Sequence, residues 1–426
     1  MIRTRFSRRR FLKTAALLTT AGAFGAAGCH TRKYFLVNPC RAAMPARLAE
    51  SPWLARVWQG LDPAQVWDCH VHLAGVGDSD SGIVLGAQFS SPMNPLFYAR
   101  RWFYMNGACA SVAGAVDKAY VERLLEQVTA MPGGVKLMLF AFDYCHDDAG
   151  RPLPEESAFY IPDDYARDLA AAYPERFEWV ASIHPYRPDA VDRLERAAAQ
   201  GARAVKWLPA AQNIDPASSR CAAFHAALAR LRIPLITHCG AEKAMRTETL
   251  YYSNPLRLRR ALEAGARVII AHCASAGDDA DIDRDSKPRS SFELFARLMD
   301  EPEWRENLCG DISAIVLRNR KPQVLKTLLS RRDWHSRLLN GSDYPLPGIL
   351  PLISPAALAA GGLLPETAVA DLELLREYNP VYFDLALKRT LSWQGQGFPA
   401  EVFATRRFFT PPSAWSRIPA SPRPLS

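Results

Sequence analysis

Histidine is scarce in this sequence, and the N-terminal apolar stretch is too short to cross a membrane. There are 9 histidines among 426 residues. The apolar stretch covers residues 14–27, whereas a membrane-spanning helix takes ~20 apolar residues. A convincing glycine fingerprint of a nucleotide-binding sheet is also missing after the first predicted strand, which argues against a doubly wound fold. The chain does contain 49% hydrophobic and 23% charged residues, an ordinary globular composition with ample material for a core.

Acidic residues are absent before Cys29, so positive charge is concentrated at the N-terminus. The formal net charge is +8, and removal of residues 1–28 leaves 8 − 6 = +2. The six basic residues removed are Arg3, Arg5, Arg8, Arg9, Arg10 and Lys13. A nearly neutral remainder gives no ground for a phosphate-binding surface, and we therefore expect no nucleic-acid partner.

The N-terminus has the organisation of an export signal, with a basic run, an apolar stretch and small residues before a cysteine. "SRRRFLK", at residues 7–13, resembles the twin-arginine export motif, and "AAGC", ending at Cys29, resembles a lipoprotein cleavage box in which Ala26 stands where leucine is usual. We predict a signal peptide at residues 1–28, export by the twin-arginine machinery, and a periplasmic or membrane-anchored protein whose membrane contact is a lipid on Cys29. A basic amphipathic N-terminus of a cytoplasmic protein is the alternative. Because the twin-arginine route carries folded proteins, often with cofactors inserted, it favours a metal.

The 9 cysteines do not by themselves establish disulfides. Cys69, Cys239 and Cys273 each adjoin a histidine on a strand-like run, so they should face away from that histidine. We interpret them as small buried hydrophobic residues and not as metal ligands.

The stretch "VWDCHVHL", residues 66–73, follows the turn residues of "GLDPAQ" and alternates in the manner of a short strand. Residues two apart in a strand share a face, so Asp68, His70 and His72 should point together. Two imidazoles on one face are half of a metal site. A pair of ordinary histidines is the alternative, which the rest of the chain must decide.

Eight short apolar runs recur along the chain, with helical patterns between them. They begin at Val66, Gly133, Phe177, Ala202, Ile233, Ala266, Asn307 and Arg337. The polar residues at the ends of the last six runs, from His184 to Asp343, are separated by 22, 32, 34, 39 and 32 residues, near the ~30 or more of a strand, helix and strand unit. Eight units predict an α/β fold, a (β/α)₈ TIM barrel, with its active site at the C-terminal ends of the strands.

We expect a single barrel domain over residues 65–395, preceded by a linker at 29–64 and followed by an extended Pro-rich tail at 396–426. A long insertion after the first strand, 74–118, carries the aromatic run "NPLFYARRWFYMNG". Loops of that length are usually functional or disordered, and the aromatic content argues against disorder. The insertion is either a lid over the barrel mouth, with Trp102 in contact with substrate, or an outer packing helix.

Ligand-type residues fall at the predicted ends of four strands, on one face of the barrel. They are His70, His72, His238, His272 and Asp343. Each alone could be a core or turn residue, but five at the face where this fold does chemistry indicate a site. Imidazole with carboxylate suits Zn²⁺, and also Mn²⁺ or Fe²⁺.

This pattern resembles the metal-dependent amidohydrolase superfamily over nearly all of residues 65–390, and in particular the amidohydrolase-related branch that includes aminocarboxymuconate semialdehyde decarboxylase. The resemblance rests on "DCHVH", "THCG", "AHCAS" and "GSDYPL" at strands one, five, six and eight. "EYNPVYFDL", residues 377–385, resembles the helix that closes such barrels.

The resemblance implies that His70, His72 and His238 bind metal and that Asp343 binds metal or the attacking water. It implies that His272 binds a second metal or polarises the substrate. Lys206, at the end of strand four, corresponds either to a carboxylated lysine that bridges two metals or to a lysine that serves substrate or structure.

We expect one metal per chain. His184 and Asp311 lie on the same predicted face and either contact substrate or act by hydrogen bonding behind the site.

From such a site we predict a metal-dependent hydrolase that acts on an amide, ester or lactone. A Zn²⁺-type cation lowers the pKa of bound water from ~15.7 toward ~7, Asp343 can accept the proton of that water, and the metal or His272 can stabilise the oxyanion. Non-oxidative decarboxylation of a small carboxylic acid is the alternative. A third possibility is a barrel lipoprotein that binds a molecule without catalysis, although such a protein would not need an intact set of metal ligands. We expect a small-molecule substrate, and a homodimer is compatible with the sequence.

Overall fold

The structure is a computed structural model that describes residues 37–91, 93–241 and 249–410. The predicted signal peptide at 1–28, Cys29 and the last part of the predicted tail, 411–426, lie outside the described residues.

Each of the eight predicted apolar runs contains a parallel strand of a barrel. The strands are β1 (Trp67–His72), β2 (Lys136–Phe140), β3 (Phe177–Val180), β4 (Val205–Trp207), β5 (Leu235–His238), β6 (Val268–Ala271), β7 (Leu308–Asp311) and β8 (Leu338–Leu339). They lie side by side in chain order, as one sheet of β1 to β3 and one of β4 to β8. Single bridges, Ala181 with Val205 and Val71 with Tyr344, join the sheets at both seams. The predicted (β/α)₈ fold is confirmed, with its strand ladder interrupted at two seams.

Two small antiparallel ribbons lie outside the barrel. Val84–Leu85 pairs with Phe159–Tyr160, and Asp278–Ala280 pairs with Pro288–Ser290. The first ribbon joins the insertion after β1 to the segment after β2.

Helices alternate with the barrel strands, as the periodicity predicts. The longer ones are Pro95–Gly107, Val116–Thr129, Asp163–Ala172, Ala190–Ala199, Ala222–Leu231, Ser291–Asp300, Pro322–Ser330, Val369–Tyr378 and Pro380–Thr390. The shorter ones are Ala46–Ala49, Pro52–Val57, Ala87–Ser90, Pro209–Gln212, Arg259–Glu263, Pro355–Ala360, Ala400–Phe403 and Arg406–Phe409. None of the described helices combines the length and apolar character needed to cross a membrane.

The first strand departs from the predicted alternation. Its register against β2 shifts between Asp68 and Val71, so that Cys69 and His70 together oppose the single residue Met138. This β-bulge keeps Cys69 in the barrel interior and turns Asp68 out of the row of His70 and His72. The expectations that Asp68 shares the face of His70 and His72, and that Cys69 faces the opposite side of the strand, are therefore wrong.

Asp68 instead holds two strands together at the site. Its Oδ1 accepts hydrogen bonds from the backbone N–H of His70 at 3.1 Å and of Ser342 at 2.8 Å. Because the first donor lies on β1 and the second follows β8, the carboxylate fixes the approach of the two segments that carry the candidate ligands.

Both ends of the described chain are more ordered than the composition indicates. Leu48 and Leu54, on helices within the predicted linker, are buried. At the other end, Thr405 Oγ1 accepts a hydrogen bond of 3.1 Å from the Trp67 N–H, and Phe409 packs into the barrel interior. The prediction of an extended tail is therefore wrong for residues 400–410, which close the N-terminal end of the barrel.

A disulfide joins Cys40 to Cys109, the second residue after the helix Pro95–Gly107. Close by, the Asn38 N–H donates to Asn106 Oδ1 at 2.9 Å. The N-terminal segment is thereby fixed to the insertion. The other described cysteines, including Cys239 and Cys273, are unpaired and buried, as expected of small hydrophobic residues.

Candidate metal centre

The candidate ligands lie at the C-terminal ends of the barrel strands, around one cavity of about 500 Å³. His70 and His72 are on β1, His238 ends β5, His272 follows β6 directly and Asp343 follows β8. All five line the cavity. The structure thus brings together every residue for which the sequence predicted a metal-binding role, Lys206 on β4 included.

Three donor atoms converge most closely. His70 Nε2 and His72 Nε2 are 3.3 Å apart, and Asp343 Oδ1 is 3.5 Å from the first and 3.2 Å from the second. His272 Nε2 lies 3.9 Å from the other carboxylate oxygen of Asp343, and the ring of His238 meets the ring of His272 at a centroid distance of 5.2 Å.

The protonation of His70 suits a metal ligand. Its Nδ1 lies 2.9 Å from Asp311 Oδ2, so Nδ1–H donates to the carboxylate and Nε2 keeps its lone pair toward the cavity. Burial and the nearby Lys206 cation lower the pKa of His70 to about 4, and the ring is therefore neutral. A carboxylate behind a ligating histidine both orients the ring and makes it a better ligand.

Asp311 also organises His272. Although burial raises its pKa, the neighbouring His70 and His272 lower it to a net value well below the usual range, so the carboxylate is ionised. Its Oδ1 accepts from the His272 N–H at 2.9 Å and from the Ser313 N–H at 3.0 Å. The Ser313 hydroxyl also donates to Oδ1, and therefore accepts from His272 Nδ1–H at 2.8 Å. This pattern leaves His272 Nε2 unprotonated and facing the cavity.

Several acceptor lone pairs thus converge at one point, with the Lys206 ammonium beside them. Lys206 Nζ lies 3.3 Å from His70 Nε2 and 5.0 Å from the ring centroid of Phe140. A carboxylate with unprotonated imidazole nitrogens is a donor set that fits a divalent cation such as Zn²⁺.

The backbone at two of the candidate residues is held in the left-handed region. His272 has φ 57° and Asp343 has φ 59°, a conformation that costs non-glycine residues energy and is concentrated at functional sites. Asp311 holds the N–H of His272, and the His70 carbonyl accepts from the N–H of Asp343 at 2.8 Å. Hydrogen bonds from other residues of the site therefore hold His272 and Asp343 in this unfavourable backbone conformation.

Residues 67–380 match the model of a protein family described as amidohydrolase. The chain belongs to the amidohydrolase family. Its members are enzymes that usually bind a divalent metal. No curated protein matches the chain significantly.

Solved structures that resemble this amidohydrolase include proteins described as hydrolases and as decarboxylases. A TIM-barrel protein from Bordetella bronchiseptica is 16% identical, covers 66% of this chain and 86% of its own, and has a TM-score of 0.43. A probable 2-pyrone-4,6-dicarboxylic acid hydrolase from Acinetobacter baumannii is 13% identical, with 74% of this chain and 96% of its own covered and a TM-score of 0.42. A 5-carboxyvanillate decarboxylase from Sphingomonas paucimobilis is 12% identical, with 81% of this chain and 98% of its own covered and a TM-score of 0.44. These likenesses are too weak to indicate a substrate.

Three residues for which substrate contact was one of two expectations, Asp311, His184 and Trp102, do not line the cavity of this amidohydrolase. Asp311 lies behind His70 and is not among the cavity-lining residues. His184 Nε2–H donates to the Gln212 carbonyl at 2.8 Å, and its Nδ1 accepts from the Tyr186 N–H at 3.2 Å, so both ring nitrogens are used within the fold. The side chain of Trp102 is 49% exposed and does not line the cavity.

The neighbours of Trp102 form a wall of the cavity that sequence reasoning missed. Arg100, Arg101, Phe103 and Tyr104, from the helix Pro95–Gly107, line it. Two further polar residues, Asn319 and Arg320, come from the loop after β7. The rest of the wall is mostly apolar and includes Leu73, Ile83, Leu85, Phe89, Phe159, Ile161, Leu208, Leu317, Leu346, Ile349 and Leu352. The arginine pair in "ARRW" is visible in the sequence, but the sequence does not show that this side of the helix faces the cavity.

Proposed function

We propose that this amidohydrolase is a metal-dependent hydrolase that attacks an amide, ester or lactone with water. The observation that carries the proposal is the convergence of His70 Nε2, His72 Nε2 and Asp343 Oδ1 within 3.5 Å of one another at a largely apolar cavity. The same arrangement supplies metal ligands and a carboxylate that can accept a proton beside the reacting group.

His70, His72, His238 and Asp343 would hold the ion. We favour Zn²⁺, with Mn²⁺ or Fe²⁺ as alternatives, and one ion per chain. When bound, such an ion lowers the pKa of a water molecule and polarises a carbonyl oxygen. Lys206 and His272 are the remaining candidates for a second ion.

The protein's own groups handle the proton. Asp343 accepts it from the attacking water, since its carboxylate lies beside the Nε2 atoms of His70 and His72 that would hold the ion. His272 Nε2, 3.9 Å from Asp343 Oδ2, can take the proton next and release it to the leaving group. The proton on His272 Nδ1 is engaged with Ser313, which favours this role, or that of a ligand, over hydrogen-bond donation to the substrate.

Decarboxylation is the second candidate, because the arginines of the cavity suit a substrate that carries a carboxylate. Arg100, Arg101 and Arg320 line a cavity that is otherwise largely apolar, and guanidinium groups suit carboxylates geometrically. A substrate with a carboxylate on an apolar frame therefore fits the cavity. Such a molecule can be cleaved as an ester or lactone, or lose its carboxylate as CO₂.

A labelled-solvent experiment separates the two reactions. The metal-loaded protein is first screened against lactones, amides and aromatic carboxylates, and the active compound is then turned over in ¹⁸O-water. A hydrolase must place ¹⁸O in the product carboxylate. Release of CO₂ with an unlabelled product would reject hydrolysis and establish decarboxylation.

We also propose that the protein is exported by the twin-arginine route and matures at Cys29. The Cys40–Cys109 disulfide supports this location, because disulfides persist in oxidising compartments such as the periplasm.

A further inference from the structure

A buried lysine that the proposed mechanism does not use lies beside the segment that carries Asp343. Lys388 belongs to the helix Pro380–Thr390, and its side chain is 0% exposed. Its ammonium donates to Asp384 Oδ2 at 2.6 Å and to the Gly341 carbonyl at 2.7 Å. Because the Asp384 side chain is only 1% exposed, both members of this ion pair are removed from water.

Stability alone does not account for such a pair. Transfer of two charges out of water costs several kcal/mol per ion, and a well-packed apolar pair of similar volume is often as stabilising or more so. Asp384 Oδ1 is also buried without a hydrogen-bond partner among the described residues, which adds to the cost. The contact that an apolar pair could not replace is the hydrogen bond from Lys388 to Gly341.

Gly341 lies in the segment 340–343, which leads from β8 to Asp343. Each residue of this segment has a backbone group that is hydrogen-bonded to a neighbouring element. Three of these bonds run to β1: from the Cys69 N–H to the Asn340 carbonyl at 3.2 Å, from the Ser342 N–H to Asp68 Oδ1 at 2.8 Å, and from the Asp343 N–H to the His70 carbonyl at 2.8 Å. The fourth is the bond from Lys388, which therefore holds the segment from outside β1.

The backbone of Gly341 is packed directly against a candidate metal ligand. A Cβ atom at position 341 would lie 2.5 Å from His70 Cβ and 3.0 Å from the His70 backbone nitrogen, so a side chain cannot be accommodated there. Asp343, two residues later, has its backbone in the left-handed region at φ 59°, a conformation that persists only where the surroundings fix it. A displacement of Gly341 would consequently disturb His70 and Asp343 together.

We propose that Lys388 is a positioning residue of the metal centre. It holds the Gly341 carbonyl so that His70 Nε2 and Asp343 Oδ1 keep their separation of 3.5 Å, and Asp384 orients and neutralises its ammonium. Lys388 does not line the cavity and thus acts only through the segment 340–343. The inference rests on the metal ligands of the proposed function, but not on which reaction they perform.

The test compares the Zn²⁺ affinity of the full chain with that of two variants. Lys388→Met with Asp384→Leu removes the bond to Gly341 and both charges together. Asp384→Asn, the matched control, removes the charge pairing but keeps Lys388 and its bond to Gly341. Zn²⁺ affinity is measured by competition with a chromogenic chelator at a temperature at which circular dichroism shows all the metal-free proteins to be folded. The visible spectrum of bound Co²⁺ reports the geometry of the ligands.

We expect the double variant to bind Zn²⁺ about 10- to 100-fold more weakly, the range typical of changes behind metal ligands, and to alter the Co²⁺ spectrum. Asp384→Asn should keep the parental affinity and spectrum, although it should melt at a lower temperature because a buried charge is left unpaired. A role in stability alone would move the melting temperatures and neither metal readout.

Parental Zn²⁺ affinity in the folded double variant would overturn the inference and leave the proposed function intact. An equal loss of affinity in Asp384→Asn would also overturn it, because the ion pair and not the bond to Gly341 would then set the site. This second result keeps the inference falsifiable should the double variant not fold. A parent protein that binds no Zn²⁺ would reject the proposed metal ligands together with the role of Lys388.

Discussion

The substitution Asp311→Asn should lower metal affinity without touching the metal ligands' own atoms. The asparagine carbonyl can take over the bonds that Asp311 Oδ1 accepts from the backbone N–H groups of His272 and Ser313. Its amide group then faces His70 Nδ1, where Asp311 Oδ2 now lies at 2.9 Å. Two donors cannot face each other, so the proton of His70 must move to Nε2, the atom that points at the metal centre.

The expected loss is about 10- to 100-fold in metal affinity, which is typical when the carboxylate behind a ligating histidine is altered. Volume and the backbone hydrogen bonds are kept, so the fold without metal should change little. Because His272 keeps its bond to the Ser313 hydroxyl, the effect should be confined mainly to His70.

The assay is competition for Zn²⁺ against a chromogenic chelator, with the metal content checked by mass spectrometry. Asp168→Asn, the same chemical change at an exposed carboxylate, is the control and should bind metal normally. Unchanged metal affinity in Asp311→Asn would refute the assignment of the His70 tautomer. A melting temperature that falls sharply in the metal-free variant would show that Asp311 mainly holds the backbone, contrary to this reasoning.

Asp343→Asn should keep most of the bound metal and lose activity by ~10²-fold or more, since it cannot accept a proton; loss of metal with proportionate loss of activity would instead make Asp343 only a ligand. Metal analysis should give one ion per chain with Lys206 unmodified in the intact mass, and two ions with a carboxylated lysine would contradict this. Burial lowers the pKa of His225 to about 4, so the unfolded chain binds this proton at a higher pH than the folded chain does. The contribution of His225 to the free energy of unfolding is therefore complete above pH ~6.5 and falls by up to about 3 kcal/mol as the pH drops to 4. His225→Phe should flatten this acid limb in urea titrations at several pH values, and an unchanged slope would reject the assignment. Replacement of Arg8 and Arg9 by lysine should leave the protein in the cytoplasm, as cell fractionation would show, whereas continued export would exclude the twin-arginine route.

The barrel could be predicted because its strands obey a local rule that repeats. A short apolar run ending in a polar residue, such as "LITH" in β5 or "VIIAH" in β6, is readable in a single sequence. The parallel topology then places all such polar ends at one edge. This is why His238 and His272, which lie far from His70 in sequence, could be assigned to one site.

The same rule failed within β1, where the alternation is broken. The bulge at Cys69 and His70 leaves no trace in the hydrophobic pattern, because both faces of this strand are buried. Asp68 therefore looked like a third member of the histidine row, although it binds backbone N–H groups behind the site. A register shift depends on the neighbouring strand, and the local sequence does not contain that information.

The cavity wall could not be predicted, because contacts distant in sequence position it. The helix Pro95–Gly107 is fixed by the Cys40–Cys109 disulfide, and the insertion from which it comes pairs with the segment after β2 through Val84–Leu85. Neither contact follows a period, so the sequence does not show whether the side of the helix that carries Arg100 or the side that carries Trp102 faces the cavity. Metal ligands are thus held by the barrel, while much of the wall that meets the substrate is held by the insertion. Changes in the insertion should consequently alter which molecule is bound while leaving the metal centre intact.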